Sequence, residues 1–339
     1  MLLDLFLILH HNFDFVNQLE SIKQPIVEDL RRFSEIFDET LTHANPLLSS
    51  VFQHIRSKKG KQMRPVLLFL VAHEFGIPTD ATYRSAVMLE LLHTASLVHD
   101  DIVDESNERR GQASVNALFD NKVAVLIGDF LLSACLEKAA QTGNIRIVQH
   151  IANLGKMLAF GEIQQISNKE QSEFSTQPYF DVIKLKTASL FTATAEVAAI
   201  SVGASDEDIS RMSLLGENLG MCFQIKDDIF DYFDNSEVGK PTGNDMNEGK
   251  LTLPVLLVLN EHPTDEMCTL ARKVRKGEAT QIEINALVSF TKNKGGVEAA
   301  DKIMRNYAQE ALKQIELFDN KVIKESLKSY VDFVINRSL

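Results

Sequence analysis

Apolar residues recur every three or four positions over most of this chain, as at Val87, Leu91, Thr94, Leu97 and Val98, and at Ile209, Met212, Leu215, Leu219 and Phe223. That period puts side chains on one face of an α-helix. Residues that punctuate strands and hairpins are scarce, with 16 Gly and 8 Pro among 339 residues, too few for closely spaced β-turns. The spacing predicts an all-α fold, a single large helical bundle of about ten or more helices. Breaks are expected near Lys58-Lys59-Gly60, Gly76-Ile77-Pro78, Gln141-Thr142-Gly143, Asn168 to Pro178, Gly203-Ala204-Ser205 and Asn235 to Gly249. None is long or biased enough for an interdomain linker, so residues 1–339 read as one domain.

Composition narrows the function. With 45% hydrophobic residues the chain can bury a core, which excludes a disordered tail. Its 47 acidic against 35 basic side chains leave a net charge of −12, the wrong sign for a protein that displaces counterions from nucleic acid. Cys135, Cys222 and Cys268 are widely spaced and form no C-x-x-C pair, which fits reduced, buried thiols of a cytoplasmic protein. The apolar run Met1 to Leu9 is interrupted by Asp4 and falls short of the roughly 20 residues of a membrane span. It lacks the basic start and small-residue cleavage site of a signal peptide, so residues 1–13 read as a peripheral segment or an over-long start.

One motif occurs twice. Asp100, Asp101 and Asp104 end one apolar helical pattern in the form D-D-x-x-D, and Asp227, Asp228 and Asp231 end another. On a helix, residues three and four apart share a face, so each trio crowds its carboxylates within a turn. A single trio reads equally as a solvated acidic helix end. Two trios of identical form favour a site for Mg²⁺, a hard ion usually shared between a few carboxylates and substrate phosphates. Cations accompany both: Arg109 and Arg110 follow the first, while Lys186-Thr187, Lys226, Lys240 and Lys250 surround the second. Each alone reads as a surface charge; together they suit a phosphate-bearing ligand. A third element, Lys58 to Pro65, is a basic turn feeding the apolar helix Val66 to Ala72. Cations beside the free N–H groups of a helix start make an anion pocket, a second phosphate site apart from the metals.

These residues together resemble the trans-isoprenyl diphosphate synthases, the polyprenyl synthetase family. The likeness runs from about Gly60 to Pro254, through G-K-Q-M-R-P at 60–65, L-L-H-T-A-S-L-V-H-D-D-I-V-D-E-S at 91–106, R-R-G at 109–111, G-E-I-Q-Q at 161–165, K-T at 186–187, F-Q-I-K-D-D-I-F-D at 223–231 and G-K-P-T-G-N-D at 239–245. The resemblance implies the isoprenoid synthase fold, a deep central cavity with two aspartate helices facing across it, and a homodimer. It implies condensation of isopentenyl diphosphate, head to tail, with an allylic diphosphate such as farnesyl diphosphate. By the same likeness all six aspartates hold Mg²⁺, three ions when diphosphate is bound, and Asp100, Asp101, Asp104, Lys186, Asp227 and Asp228 carry catalysis. Arg109, Lys186, Thr187, Gln224 and Lys240 would contact the allylic diphosphate, and Lys61, Arg64, His93 and Arg110 isopentenyl diphosphate. His93 lies seven residues before Asp100, about 20° away on the helix wheel, so it shares the metal-facing stripe. Gln62 departs from the family, which commonly has a basic residue there.

The chemistry that this implies follows from charge. Diphosphate leaves once Mg²⁺ and cationic side chains neutralise the departing oxygen, and the allylic cation left behind must be kept from water. The growing tail is expected to run back along the first aspartate helix past Ser96 and Ala95, then Leu92 and Leu89. Short-chain members place bulky aromatics next to the motif, so the small pair Ala95 and Ser96 implies a long all-trans product of C30 to C50, octaprenyl being the single expectation, for quinone side chains. The floor is expected at Leu89 or on the segment Phe130 to Leu136. Alternatives are a shorter farnesyl or geranylgeranyl product, a terpene cyclase, which would not need the Gly60–Pro65 pocket, a di-iron bundle, for which Glu90 to His93 supplies one of two required E-x-x-H segments, and a non-catalytic subunit on the same fold. Transient membrane contact is compatible with so apolar a product.

Overall fold

The computed structural model describes residues 18–57, 60–109, 111–168, 173–233 and 242–337. Lys58, Lys59, Arg110, Lys240 and the apolar run 1–9 lie outside the described residues. Helices dominate, as the three- and four-residue spacing predicts. The only strands among the described residues are a two-stranded antiparallel ribbon, β1 (Glu108–Arg109) and β2 (Gln112–Ala113), in which Arg109 pairs with Gln112. Gly111 lies at φ 70° in the turn between them, a conformation that lacks a Cβ penalty only for glycine. No helix among the described residues is long and apolar enough to cross a membrane.

The chain forms two compact units, each drawn from separate stretches: residues 1–155, 190–216 and 314–333 in the first, and 156–189, 217–313 and 334–339 in the second. In order, the helices are α1 (Val27–Thr40), α2 (Pro46–Arg56), α3 (Met63–Phe75), α4 (Asp80–Val103), α5 (Val115–Phe119), α6 (Asn121–Gln141), α7 (Ile145–Asn168), α8 (Gln177–Ile183), α9 (Ser189–Ser201), α10 (Asp206–Phe230), α11 (Asn244–Asn247), α12 (Leu253–Glu261), α13 (Asp265–Arg275), α14 (Gln281–Asn293), α15 (Gly296–Glu316) and α16 (Lys321–Asn336).

The first unit is organised by α4, which packs along α6 and against α1 and α3. Its start is fixed by a reciprocal cap between Thr79 and Thr82, which satisfies backbone donors that the helix cannot. Val87, Met88, Leu89, Leu91, Leu92, Ala95 and Val98 are all buried. In α3 every residue from Val66 to Ala72 is inaccessible, so this helix is enclosed on all sides. Its start precedes the expected Val66 by one turn, because Gln62 adopts a left-handed conformation at φ 54° and admits Met63 to Pro65 to the first turn. Near the end of α4, His99 fits into the notch left by Gly128 on α6, where an added Cβ would collide with the imidazole.

The second unit is distinguished by a π-helical turn, Lys184–Ala188, joining α8 to α9. Such wide turns concentrate at functional positions. Gly161 and Gly220 make room for it: a Cβ at Gly161 would stand 2.8 Å from Lys186 Cγ, and one at Gly220 would meet the Ala188 backbone. Cys135 and Cys222 are buried free thiols, pushed up to about 12 by burial. Cys268 corrects the expectation of three buried thiols, since it is partly exposed on α13, a strongly amphipathic helix whose buried face is formed by Ala271 and Val274.

Candidate active site

Both aspartate trios straddle a helix end. Asp100 and Asp101 lie in the last turn of α4, and Asp104 is the residue that caps it; Asp227 and Asp228 lie in the last turn of α10, and Asp231 follows its final residue, Phe230. The third aspartate of each trio is thus just past the helix rather than on the helical face the spacing implies. Carbonyl dipoles converge on a helix C-terminus and disfavour anions there. Neither last turn contains a basic residue, so the charge must be balanced from elsewhere.

In the first unit, Arg109 reaches back from β1 to place its guanidinium on Asp101, with Nε 2.8 Å from Oδ1. Asp101 is 3% exposed, and the loop after it is tied down as Asn116 donates to the Asp101 and Ser106 carbonyls. A cavity of about 110 Å³ opens beside this pair, lined by Gln62, His93, Asp101 and Arg109 among its polar residues and by Phe33, Phe37 and Leu97 among its apolar ones. The structure brings together His93 and Arg109, which the resemblance assigns to different substrates. Lys61 is exposed with its ammonium 5.4 Å from the Phe333 ring, and the Arg64 guanidinium lies 5.7 Å from the Phe191 ring. Neither lines this cavity, nor do Asp100 and Asp104.

In the second unit, three expected residues meet Tyr179 in one hydrogen-bonded chain. Thr187 Oγ1 donates to Gln224 Oε1 at 2.6 Å, Gln224 Nε2 donates to Asp228 Oδ1 at 2.8 Å, and Tyr179 OH donates to Asp228 Oδ2 at 2.6 Å. Beside it Lys186 forms an ion pair with Glu162 and donates to Gln165. The π-turn places Lys186 and Thr187 on this side, and Gly161 lets α7 approach closely enough for Glu162 to reach the ammonium. Lys186, Thr187, Gln224 and Asp228 line a cavity of about 250 Å³, joined by Tyr179, Asp245, Lys250 and Arg275. Asp231 also anchors the start of α11, since its carboxylate accepts the N–H groups of Asn244 and Asp245 at 2.8 and 3.2 Å.

A sequence profile described as polyprenyl synthetase matches residues 45–290. The chain belongs to this family. Membership makes it a prenyltransferase. It is 31% identical to the octaprenyl diphosphate synthase of Haemophilus influenzae over 95% of this chain and 97% of that protein. Among solved structures it resembles a geranylgeranyl pyrophosphate synthase from Bacteroides thetaiotaomicron, with 46% identity, a TM-score of 0.84 and coverage of 95% of this chain and 100% of that one. A polyprenyl synthase from Caulobacter crescentus, solved with calcium and isoprenyl diphosphate, aligns with a TM-score of 0.89 at 27% identity, over 95% and 98% of the two chains.

The electrostatics of this prenyltransferase test whether a divalent cation fits. Burial pushes the Asp228 carboxyl up to about 7, and Asp227 and Asp231 add repulsion that the Tyr179 and Gln224 hydrogen bonds oppose. Asp245 is raised well above the usual range, first by burial and then by Asp228 and Asp231, with Lys250 opposing. Carboxylates that repel one another at the negative end of a helix, offering hard oxygen donors, suit Mg²⁺. Among the described residues no three acidic, His or Cys side chains already converge as a closed metal cage. An ion here would complete its shell with water or phosphate oxygens, as Mg²⁺ commonly does.

Sequence reasoning missed Tyr179, Glu162, Asp245 and Arg337 as partners of the motif. Glu162 and Asp245 do stand within the family segments at 161–165 and 239–245. Tyr179 and Arg337 carry no local signal, because they reach the second trio from 49 and 110 residues away. Ala95, Leu92 and Leu89 are buried, while Ser96 is partly exposed and donates to the His93 carbonyl. On the segment 130–136, Leu131 and Cys135 are buried, whereas Phe130 and Leu136 are exposed.

Proposed function

We propose that this chain condenses isopentenyl diphosphate with an allylic diphosphate to build a long all-trans polyprenyl diphosphate. The observation that carries the reading is the Thr187–Gln224–Asp228–Tyr179 chain beside Lys186, all lining one cavity. Lys186 presents an ammonium already partly balanced by Glu162, so it can donate to a diphosphate oxygen without a fully uncompensated charge in the empty site. Gln224, fixed at both ends of its amide, and Thr187 line the same space with polar oxygens, where an electron-poor allylic fragment would be held. Arg109 and Lys240 add positive charge to the departing diphosphate. Mg²⁺, when bound, neutralises the charge growing on that leaving group. Asp100, Asp101, Asp104, Asp227, Asp228 and Asp231 are the residues proposed to hold it, and binding of three ions is part of the reading. Lys61, Arg64, His93 and Arg110 are proposed to take isopentenyl diphosphate. Released diphosphate accepts the proton lost after the new C–C bond forms.

Small, buried Ala95 supports a tail directed along α4 and a product of C30 to C50, with octaprenyl the first choice; the 31% identical octaprenyl diphosphate synthase agrees in length. A second reading, a C20 product, is favoured by the 46% identity to the geranylgeranyl pyrophosphate synthase. Incubation with farnesyl diphosphate, radiolabelled isopentenyl diphosphate and Mg²⁺, followed by chromatographic sizing, separates the two. Elongation to C30 or longer supports the first reading, a stop at C20 the second, and no elongation rejects both. We further propose one polyprenyl synthetase domain, a cytoplasmic location, in keeping with three free cysteines, and a homodimer. The dimer reading is supported by Val125, Leu126 and Leu136, which expose apolar side chains on one face of α6.

A further inference from the structure

The first carboxylate of the second trio already has a cation. Arg337, the residue after α16, donates through Nη2 to Asp227 Oδ1 at 2.6 Å and to the Phe223 carbonyl at 3.0 Å. Its guanidinium carbon sits 4.0 Å from the Phe223 ring centroid and 5.5 Å from that of Phe230. Phe223, Asp227 and Phe230 are one and two turns apart on α10, so the planar group is seated along that face of the helix and held by both rings and two acceptors. The Arg337 side chain is 11% exposed, against 42% for Asp227. This is a built seat rather than a solvated surface pair, because ring contacts together with donation to two acceptors suit guanidinium where an ammonium would be poorly held.

We infer that Arg337 is the resident counter-ion of Asp227 and competes with a divalent cation for its carboxylate. The inference rests on the proposed role of Asp227 as a metal ligand. With the trio at a helix C-terminus and no basic residue in that turn, Arg337 offsets the charge while the metal is away. A divalent ion approaching Asp227 meets a fixed positive charge a few ångströms off and an oxygen already engaged. Arg337 is therefore a positioning residue that raises the cation concentration needed to load this side of the site. Negative charge brought by a diphosphate relieves that opposition, so loading of ion and substrate become linked.

The test is direct binding of Mn²⁺ to the purified full chain, with free Mn²⁺ counted by electron paramagnetic resonance and no diphosphate present. Arg337→Gln keeps a hydrogen-bonding amide and removes the charge; we expect about tenfold tighter Mn²⁺ binding, the scale of one nearby charge in a solvated setting. Phe223→Leu loosens the ring seat and is expected to tighten binding by about threefold, which keeps the question open to refutation if Arg337→Gln does not fold by circular dichroism. In an Asp227→Asn background the Arg337→Gln effect should vanish, as a double-mutant cycle requires of a direct pair. Unchanged or weaker Mn²⁺ binding in both Arg337→Gln and Phe223→Leu overturns the inference. Undiminished binding in Asp227→Asn alone overturns the metal-ligand reading instead, which keeps the two failures distinct.

Discussion

Asp228 concentrates the conflict between folding and chemistry. Its carboxyl titrates near 7 in the fold against an ordinary 3.8, chiefly because it is buried. As pH rises from about 4 to about 7 the unfolded chain releases this proton first, so the metal-free fold loses stability over that window, and the loss is complete above 7. Thermal melts in a chelator should therefore show wild type falling relative to Asp228→Asn between those limits, and added Mg²⁺ should restore wild type. Lys186 poses the complementary case. Lys186→Met keeps the aliphatic stem but removes the charge that meets diphosphate, and kcat for condensation is expected to fall about 10²–10³-fold. Burial of Glu162 without its partner would also cost stability, which a melting curve reads separately. Asp228 was legible in sequence because aspartate spacing is a local pattern, whereas Lys186 was legible only as part of the K-T segment at 186–187 that the family resemblance supplies. Tyr179 was not, since a tyrosine is informative only once its hydroxyl is seen 2.6 Å from a carboxylate.

At the scale of elements, the site depends on how closely helices approach the π-turn. Gly220 on α10 faces the Ala188 backbone with no room for a Cβ, and backbone cannot move aside as a side chain can. Gly220→Ala is expected to destabilise the fold by about 1–3 kcal/mol and to displace Lys186 and Thr187, so denaturant midpoint and condensation rate should drop together. Along α4, Ala95 is fully buried. Ala95→Phe should shorten the product, as judged by chromatography of the prenyl alcohols; unaltered length would remove α4 from the tail's path. Helix periodicity located α4 and α10, and the apolar run at Val66–Ala72 located α3. It did not disclose that α3 begins at Met63, because the left-handed Gln62 has no pattern of its own, nor that the third aspartates stand beyond the helix ends, because D-D-x-x-D has the same spacing whether or not the last residue is helical.

For the molecule as a whole, the exposed face formed by Val125, Leu126 and Leu136 bears on assembly. Leu126→Glu should convert a dimer to monomers in light scattering at equal protein concentration, since a carboxylate buried in a self-complementary interface appears twice. Scarcity of Gly and Pro disclosed the helical class but could not show how the chain is apportioned. Composition is blind to the order in which helices are visited, and no linker-like segment marks the passage from residue 155 to 156 or from 216 to 217. The interleaving has a consequence for biosynthesis. The first unit draws on residues 1–155, 190–216 and 314–333, so a ribosome that has reached residue 313 still lacks the last stretch of that core. Nascent or prematurely terminated chains would then expose apolar surface to chaperones and proteases until residues 314–333 have emerged.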